Sequence, residues 1–478
     1  MNVTTTITPT APQLGSAIAA VFARQKQVAI RLRTSTADER IAKLKKLEAA
    51  VMARKDAIYE ALAADLHKPV AEADLTEIMP VISEIHHTAK HLKGWMRTKG
   101  VRPTMAMLGT KASVRYEPKG VCLIISPWNY PINLTLGPLA CAIGAGNTAI
   151  IKPSEMTPHC SAVMASLIAE VFDPSEIALF EGDAAVSTEL LNLPFDHIFF
   201  TGSPAVGKIV MAAAAKHLAS VTLELGGKSP VIVDETADPA KAAKSIMWGK
   251  FVNVGQTCIA PDYVYVHEKI LPAFLDAAKA AIAKMYGPDA RSSADYCRIV
   301  NEKHFGRVKR ILDDAVAHGA TVVTGGGADA PQKFMAPTLL TNVNESSLVM
   351  QEEIFGPVLP IIPYVDVAGP IAHINANPKP LALYVFSKNE GNIEKILSQT
   401  SAGGSCVNMT VLHFSHANLP FGGVNNSGIG SSHGIYGFKS FSHERAVLRE
   451  QMSATSMLAP PYTAKVRSLI DLTMKYFT

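Results

Sequence analysis

Hydrophobic positions along this chain change period, and the change divides it. After a threonine-rich stretch read as a loose tail (residues 1–13), Thr36 and Glu39 stand at capping-box spacing. Ile41, Leu44, Leu47, Val51, Ile58 and Leu62 then recur at helical intervals. A second helical stretch, 72–98, carries Ile78, Ile82, Ile85 and Leu92 and stops at Gly100 and Pro103. Residues 101–120 read as irregular to extended.

From Val121 the pattern becomes short apolar runs: Val121–Ser126, Thr148–Ile151, Ala178–Phe180, His197–Phe200 and Val221–Leu223. Segments such as Met156–Val171 and Ala205–Leu218 alternate with them and read as helices. Apolar strands alternating with helices predict a mostly parallel sheet covered on both faces. Beyond Gly226-Gly227 the rhythm resumes with Val231–Val233, a helix from Pro239 (N-capped by Asp238) to about Asn253, and Tyr263–Val266. Later strands are expected at Leu359–Tyr364, Leu381–Phe386 and Ser405–Met409. The fold class is therefore α/β. A Rossmann-like dinucleotide-binding domain is expected from 1–100 and 121–226, and a second α/β catalytic domain from 227–420. Residues 101–120 and 435–455 are expected as a small bridging or oligomerisation segment, and 456–478 as a C-terminal tail. Val466, Leu469, Ile470, Leu472 and Met474 give that tail a helical pattern too short and too charged to cross a membrane, read as packing against the body or a partner.

Length and composition sharpen this. A chain of 478 residues, 48% of them hydrophobic, is long for a single core. A net charge of +4, with basic and acidic residues interspersed, argues against a nucleic-acid or membrane-surface protein. Lys43, Lys45 and Lys46 sit beside Asp38, Glu39 and Glu48 and read as a solvated helix face. Six cysteines without a CxxC pair give no metal-site pattern. Without a signal-peptide pattern or an uninterrupted apolar span, a soluble, reducing, cytoplasmic setting is expected.

Candidate chemistry gathers at the ends of the expected strands, where open α/β sheets bind ligands. Cys258 follows Gly255-Gln256-Thr257 and precedes Pro261, at the turn from a helix into a strand. That context suits a nucleophilic thiol, yet alone it fits a protease, an acyl transferase or a buried cysteine equally. Ser126-Pro127-Trp128-Asn129 is either a proline-bounded loop or the source of an amide donor for an oxyanion. Lys152-Pro153-Ser154-Glu155 starts a helix, and beside a nucleotide Lys152 and Glu155 would bond ribose hydroxyls. Phe200-Thr201-Gly202-Ser203-Pro204-Ala205-Val206-Gly207-Lys208 leads a strand through glycines into a helix N-terminus that can bind a pyrophosphate. It departs from GxGxxG, and Ile209 stands where a P-loop needs a hydroxyl. Glu224, at a strand end, is either a surface acid or a buried carboxyl suited to general-base work.

Phe251–Cys258, Leu223-Glu224-Leu225-Gly226-Gly227-Lys228, Pro127-Trp128-Asn129, Phe200–Ser203 and Glu353-Ile354-Phe355-Gly356-Pro357-Val358 together resemble the aldehyde dehydrogenase superfamily over about residues 31–448. Cys258-Ile259-Ala260-Pro261-Asp262-Tyr263 and Leu419-Pro420-Phe421-Gly422-Gly423-Val424 resemble its class 3 and coniferyl-aldehyde branch. The resemblance implies Cys258 as nucleophile, Glu224 as base for deacylation, and Asn129 with the Cys258 N–H as oxyanion hole. It implies cofactor contacts from Trp128, Lys152, Glu155, Gly202, Ser203, Gly207, Leu225, Glu353 and Phe355. Tyr130, Trp248, Thr257 and the loop Thr410–Phe414, which includes Leu412 and His413, are candidate substrate-pocket residues. The expected activity is NAD(P)-dependent oxidation of an aromatic or medium-to-long aliphatic aldehyde to the acid, with NAD preferred and NADP tolerated, in a homodimer. A semialdehyde dehydrogenase, a CoA-acylating enzyme and a non-catalytic protein on the same fold are the alternatives. Asn425 stands where the family pattern has glycine.

Overall fold

The computed structural model describes residues 11–104, 107–452 and 459–476 of the chain. Its first large sheet has six strands in the order Gly428–Ile429, Ser220–Glu224, His197–Thr201, Val121–Ile125, Thr148–Lys152 and Ile177–Leu179. All neighbours pair in parallel except Gly428–Ile429, which runs against Ser220–Glu224. The strands are buried on both faces and split their side chains by the period of two: Cys122 and Ile124 enter one core, Val121, Leu123 and Ile125 the other. Strand order reverses beside Val121–Ile125, with Thr148–Lys152 on one side and His197–Thr201 on the other. This is the switch point at which a crevice forms beyond the strand ends.

A second, seven-stranded sheet contains Pro230–Val233, Tyr263–His267, Val358–Tyr364, Ala382–Phe386 and Gly404–Val407, parallel to one another, with Thr338–Thr341 parallel and Thr321–Thr324 antiparallel at the far edge. The expected strands in this half all appear. A third sheet joins Lys99–Val101, Thr110–Pro118 and Ser442–Glu450, all antiparallel.

Three regions differ from the hydrophobic pattern's prediction. A helix Ala11–Leu32 begins inside the expected tail and ends before the capping box. Its buried stripe, Ile18, Val21, Phe22 and Ala29, is interrupted by buried Gln25, whose Nε2 donates to the carbonyls of Ala149 and Pro174 at 3.0 Å each. A polar residue satisfied from another segment hides the stripe. Helix Asn133–Ala145 was not anticipated, because it is buried nearly all round and so has no period. The expected helix over 72–98 is broken by a π-helical turn, Asp74–Ile78, before continuing as Met79–Trp95. The C-terminal helix Ala464–Tyr476 forms as its pattern predicts but buries none of its described residues.

Candidate active site

Cys258 is placed by backbone the chain adopts only under constraint. Helix Pro239–Phe251 ends, and Asn253, Val254 and Gly255 follow with φ of 49°, 56° and 74°. A β-branched residue in the left-handed region is strained, and such strain persists where surroundings over-determine it. Here they do. Glu72 accepts the Asn253 N–H at 2.9 Å, and Asn253 Nδ2 donates to the carbonyls of Asn129 (2.8 Å) and Gln256 (3.2 Å). The buried Gln256 amide donates to the Arg298 carbonyl (3.1 Å) and accepts from the Val300 N–H (3.0 Å). Gly255 is required: a Cβ there would lie 2.4 Å from the Gly356 carbonyl oxygen.

The turn presents Cys258 to a cavity of about 180 Å³ whose walls also include Glu224, Tyr130, Thr257, Trp248 and Leu412. Burial, with the charges of Glu353 and Glu224, pushes the thiol up to about 12, while the Cys258 and Ile259 N–H groups pull it down.

Glu224 closes its strand, its carboxyl inside the same cavity. Oε1 accepts from Ser432 Oγ at 3.0 Å, whereas Oε2 is buried without a partner. Burial pushes this carboxyl up to about 8, the Ser432 hydrogen bond opposing. A carboxyl at that value keeps its proton at neutral pH and becomes available as a base as pH rises through it. Asn129 is buried and spends one N–H on the Gln256 carbonyl at 2.9 Å. An amide nitrogen carries two donors, so one remains beyond that bond.

The sheet crevice lies beside this cavity. Lys152 ends its strand with Nζ 2.7 Å from Glu155 Oε2. Ser203 caps helix Pro204–Ala215 by accepting the Val206 N–H, which leaves a helix N-terminus facing the switch point. Gly207 packs directly on Leu225, where a Cβ would come within 2.7 Å. A cavity of about 220 Å³ joins Pro204 and Gly227 to Glu353. Trp128 packs edge-on to Phe355 at 5.3 Å, and Phe355 itself has φ of 43°. The loop carrying Glu353 and Phe355 is fixed by Arg307, which donates to the carbonyls of Glu353 (2.9 Å) and Ile354 (2.6 Å). Asp262, paired with Lys228, accepts the Ile354 N–H at 3.0 Å. Burial, then the Asp262 charge, lifts Glu353 to about 7. A helix N-terminus, a glycine-lined approach and two carboxylates suited to ribose hydroxyls fit a dinucleotide.

These observations agree with the comparisons to known proteins. The aldehyde dehydrogenase family matches residues 3–447. The chain belongs to the aldehyde dehydrogenase family. It is 45% identical to the 4,4'-diaponeurosporen-aldehyde dehydrogenase of Staphylococcus aureus, over 89% of this chain and 92% of that one. It is 43% identical to the rat enzyme described as aldehyde dehydrogenase, dimeric NADP-preferring, over 91% of this chain and 95% of that one. A structure of Staphylococcus aureus AldH in a substrate-bound state superposes with a TM-score of 0.91 at 42% identity, covering 95% and 99% of the two chains. This aldehyde dehydrogenase is thus an oxidoreductase that oxidises aldehydes to acids with NAD(P).

Of the sequence-derived pocket residues, Tyr130, Thr257, Trp248 and Leu412 line the cavity, and Tyr130 bonds its hydroxyl to Thr257 Oγ1 at 2.5 Å. His413 stands apart. Its Nδ1 lies 3.1 Å from Cys406 Sγ and its ring packs against Gly404 and Phe421, while Leu412, Phe414 and Ser415 of the same short helix line the cavity. Phe414 and Ser432 hold the wall instead. Phe414 belongs to the loop 410–414 that the sequence offers as a pocket wall; Ser432 was not anticipated, because it reaches Glu224 only through tertiary folding.

Proposed function

We propose that Cys258 attacks the aldehyde carbonyl through its thiolate and carries first a thiohemiacetal and then a thioester. The observation that carries this reading is one cavity shared by the Cys258 thiol and the unpartnered Oε2 of Glu224. The Asn129 amide and the Cys258 N–H stabilise the oxygen of each tetrahedral adduct. Glu224 draws a proton from water for thioester hydrolysis, so water rather than coenzyme A takes the acyl group. Lys152, Glu155, Gly202, Ser203, Gly207, Leu225, Glu353, Trp128 and Phe355 hold the dinucleotide, which when bound supplies the hydride acceptor. Cys258→Ala is expected to abolish aldehyde-dependent NAD(P)H formation, at least a thousandfold, while cofactor binding measured by fluorescence persists; full turnover would defeat the mechanism. In single turnover with added coenzyme A the product stays the free acid.

The substrate is read as an apolar aldehyde, aromatic or medium-to-long aliphatic. Leu75, Met79, Pro138, Trp248, Val252 and Phe414 give the cavity a chiefly apolar wall. Comparing kcat/KM across benzaldehydes, cinnamaldehydes, alkanals and succinic semialdehyde tests this, and preference for the last would refute it. NAD is the preferred cofactor, with NADP tolerated: Glu155 neutralises Lys152 and repels a 2′-phosphate. Glu155→Gln should raise the NADP/NAD ratio of kcat/KM about tenfold, on the order of 1.4 kcal/mol. A cytoplasmic setting is the companion reading; among the described residues no helix is long and apolar enough to cross a membrane.

A further inference from the structure

The loop that carries Asn129 is gripped from the N-terminal helices by an ion pair sealed from solvent. Lys68 Nζ stands 2.6 Å from Glu77 Oε1, and neither side chain is exposed. The same ammonium donates to the Asn129 backbone carbonyl at 3.3 Å and lies 4.3 Å from the centre of the Tyr130 ring. The other carboxylate oxygen, Oε2, accepts the N–H groups of Ile132 (3.1 Å) and Asn133 (3.0 Å). Glu77 belongs to the π-helical turn Asp74–Ile78, a rare geometry that recurs at functional sites. From the same turn, the Thr76 carbonyl accepts Asn133 Nδ2 at 3.0 Å.

Removing two charges from water is costly, and a matched apolar pair would fill a core as well. An apolar pair cannot hold a carbonyl and two N–H groups of a neighbouring loop. The far side of that loop meets the nucleophile's turn, through Asn129 Nδ2 on the Gln256 carbonyl and Tyr130 Oη on Thr257 Oγ1.

We propose that Lys68 and Glu77 are positioning residues for oxyanion stabilisation. They clamp the main chain from Asn129 to Asn133 so that the Asn129 amide meets the oxygen of the Cys258 adduct. This rests on the reading of Asn129 given above. The pair touches no reacting atom; its effect passes through the loop.

The test is a double-mutant cycle on the first-turnover burst of NAD(P)H, with cofactor affinity measured alongside. Asn129→Ala should slow the burst roughly 100-fold or more. Lys68→Met and Glu77→Gln should each slow it about 10- to 100-fold. In both, aldehyde KM stays within about threefold and cofactor affinity is unchanged. Lys68→Met combined with Asn129→Ala should be no slower than Asn129→Ala alone, because both act on one donor. Multiplicative penalties, a parent-like burst in both single variants, or a parallel loss of cofactor affinity would overturn the proposal. A parent-like burst in Asn129→Ala would instead remove the oxyanion reading beneath it. Should the single variants fail to fold, Lys68→Met/Glu77→Met removes both charges together and enters the same cycle.

Discussion

Glu224 and Ser432 show how much of this chemistry depends on single atoms. The carboxyl is lifted to about 8 by burial, with the Ser432 hydroxyl favouring its charged form. As a base Glu224 must be ionised, so thioester hydrolysis should rise as pH climbs through its value. Ser432→Ala removes a donor to the carboxylate, and the ascending limb of the kcat–pH profile should move up by about one unit. Ser432→Thr should restore it, and an unmoved limb in Ser432→Ala would show that another group controls the step. The same lift has a stability consequence. The folded-state value lies above the ordinary carboxyl value of 4.5, so the native state holds a proton that the unfolded chain releases. Stability from this group is full below pH 4.5 and lost as pH rises toward about 8. Glu224→Gln should therefore gain Tm relative to the parent at pH 9 but not at pH 4.5, measured by calorimetry. Glu224 was legible at a strand end after Leu223; Ser432, 208 residues onward, had no local signal.

Among the elements, the loop Glu353–Val358 depends most on its neighbours. Arg307 on helix Glu302–Ala317 and the Lys228–Asp262 pair fix its main chain. Gly226 leaves room for its carboxylate, since a Cβ there would lie 2.3 Å from Glu353 Oε2. Gly226→Ala should displace that carboxylate and weaken dinucleotide binding about tenfold, roughly 1.4 kcal/mol, by titration calorimetry. Tm should fall by only a few degrees, because the flexible end of Glu353 can yield. Unchanged affinity would argue that Glu353 does not touch the cofactor. Most of the buried parallel strands were legible, since such strands read as apolar runs, although Thr338–Thr341 was not. Helix Asn133–Ala145 and the π-helical turn were not, because one is enclosed all round and the other exists to aim Glu77 at a distant loop.

At the scale of the molecule, the three-stranded sheet ends in Ser442–Glu450, a nine-residue strand exposed along most of its length, with Leu448 59% exposed. Long open edges invite pairing with another chain. A homodimer is the assembly we propose, supported by the rat relative described as dimeric. Sedimentation velocity should give a mass near twice 51.0 kDa. Leu448→Asp should weaken the association at least tenfold, or about 1.4 kcal/mol; a monomeric parent chain would refute the reading.

Local sequence by itself determined the alternation of strands and helices, the place of a turn at Cys258 and the residue types needed for acyl chemistry. Periodicity, capping and glycine spacing act over a few residues and leave their mark in order along the chain. Tertiary structure alone decided which of those residues work together. It turned His413 away from the cavity while admitting Phe414, set Ser432 against Glu224, and put the Lys68–Glu77 pair under the Asn129 loop. Hydrogen bonds and burial join side chains hundreds of residues apart, and no periodicity records such a meeting.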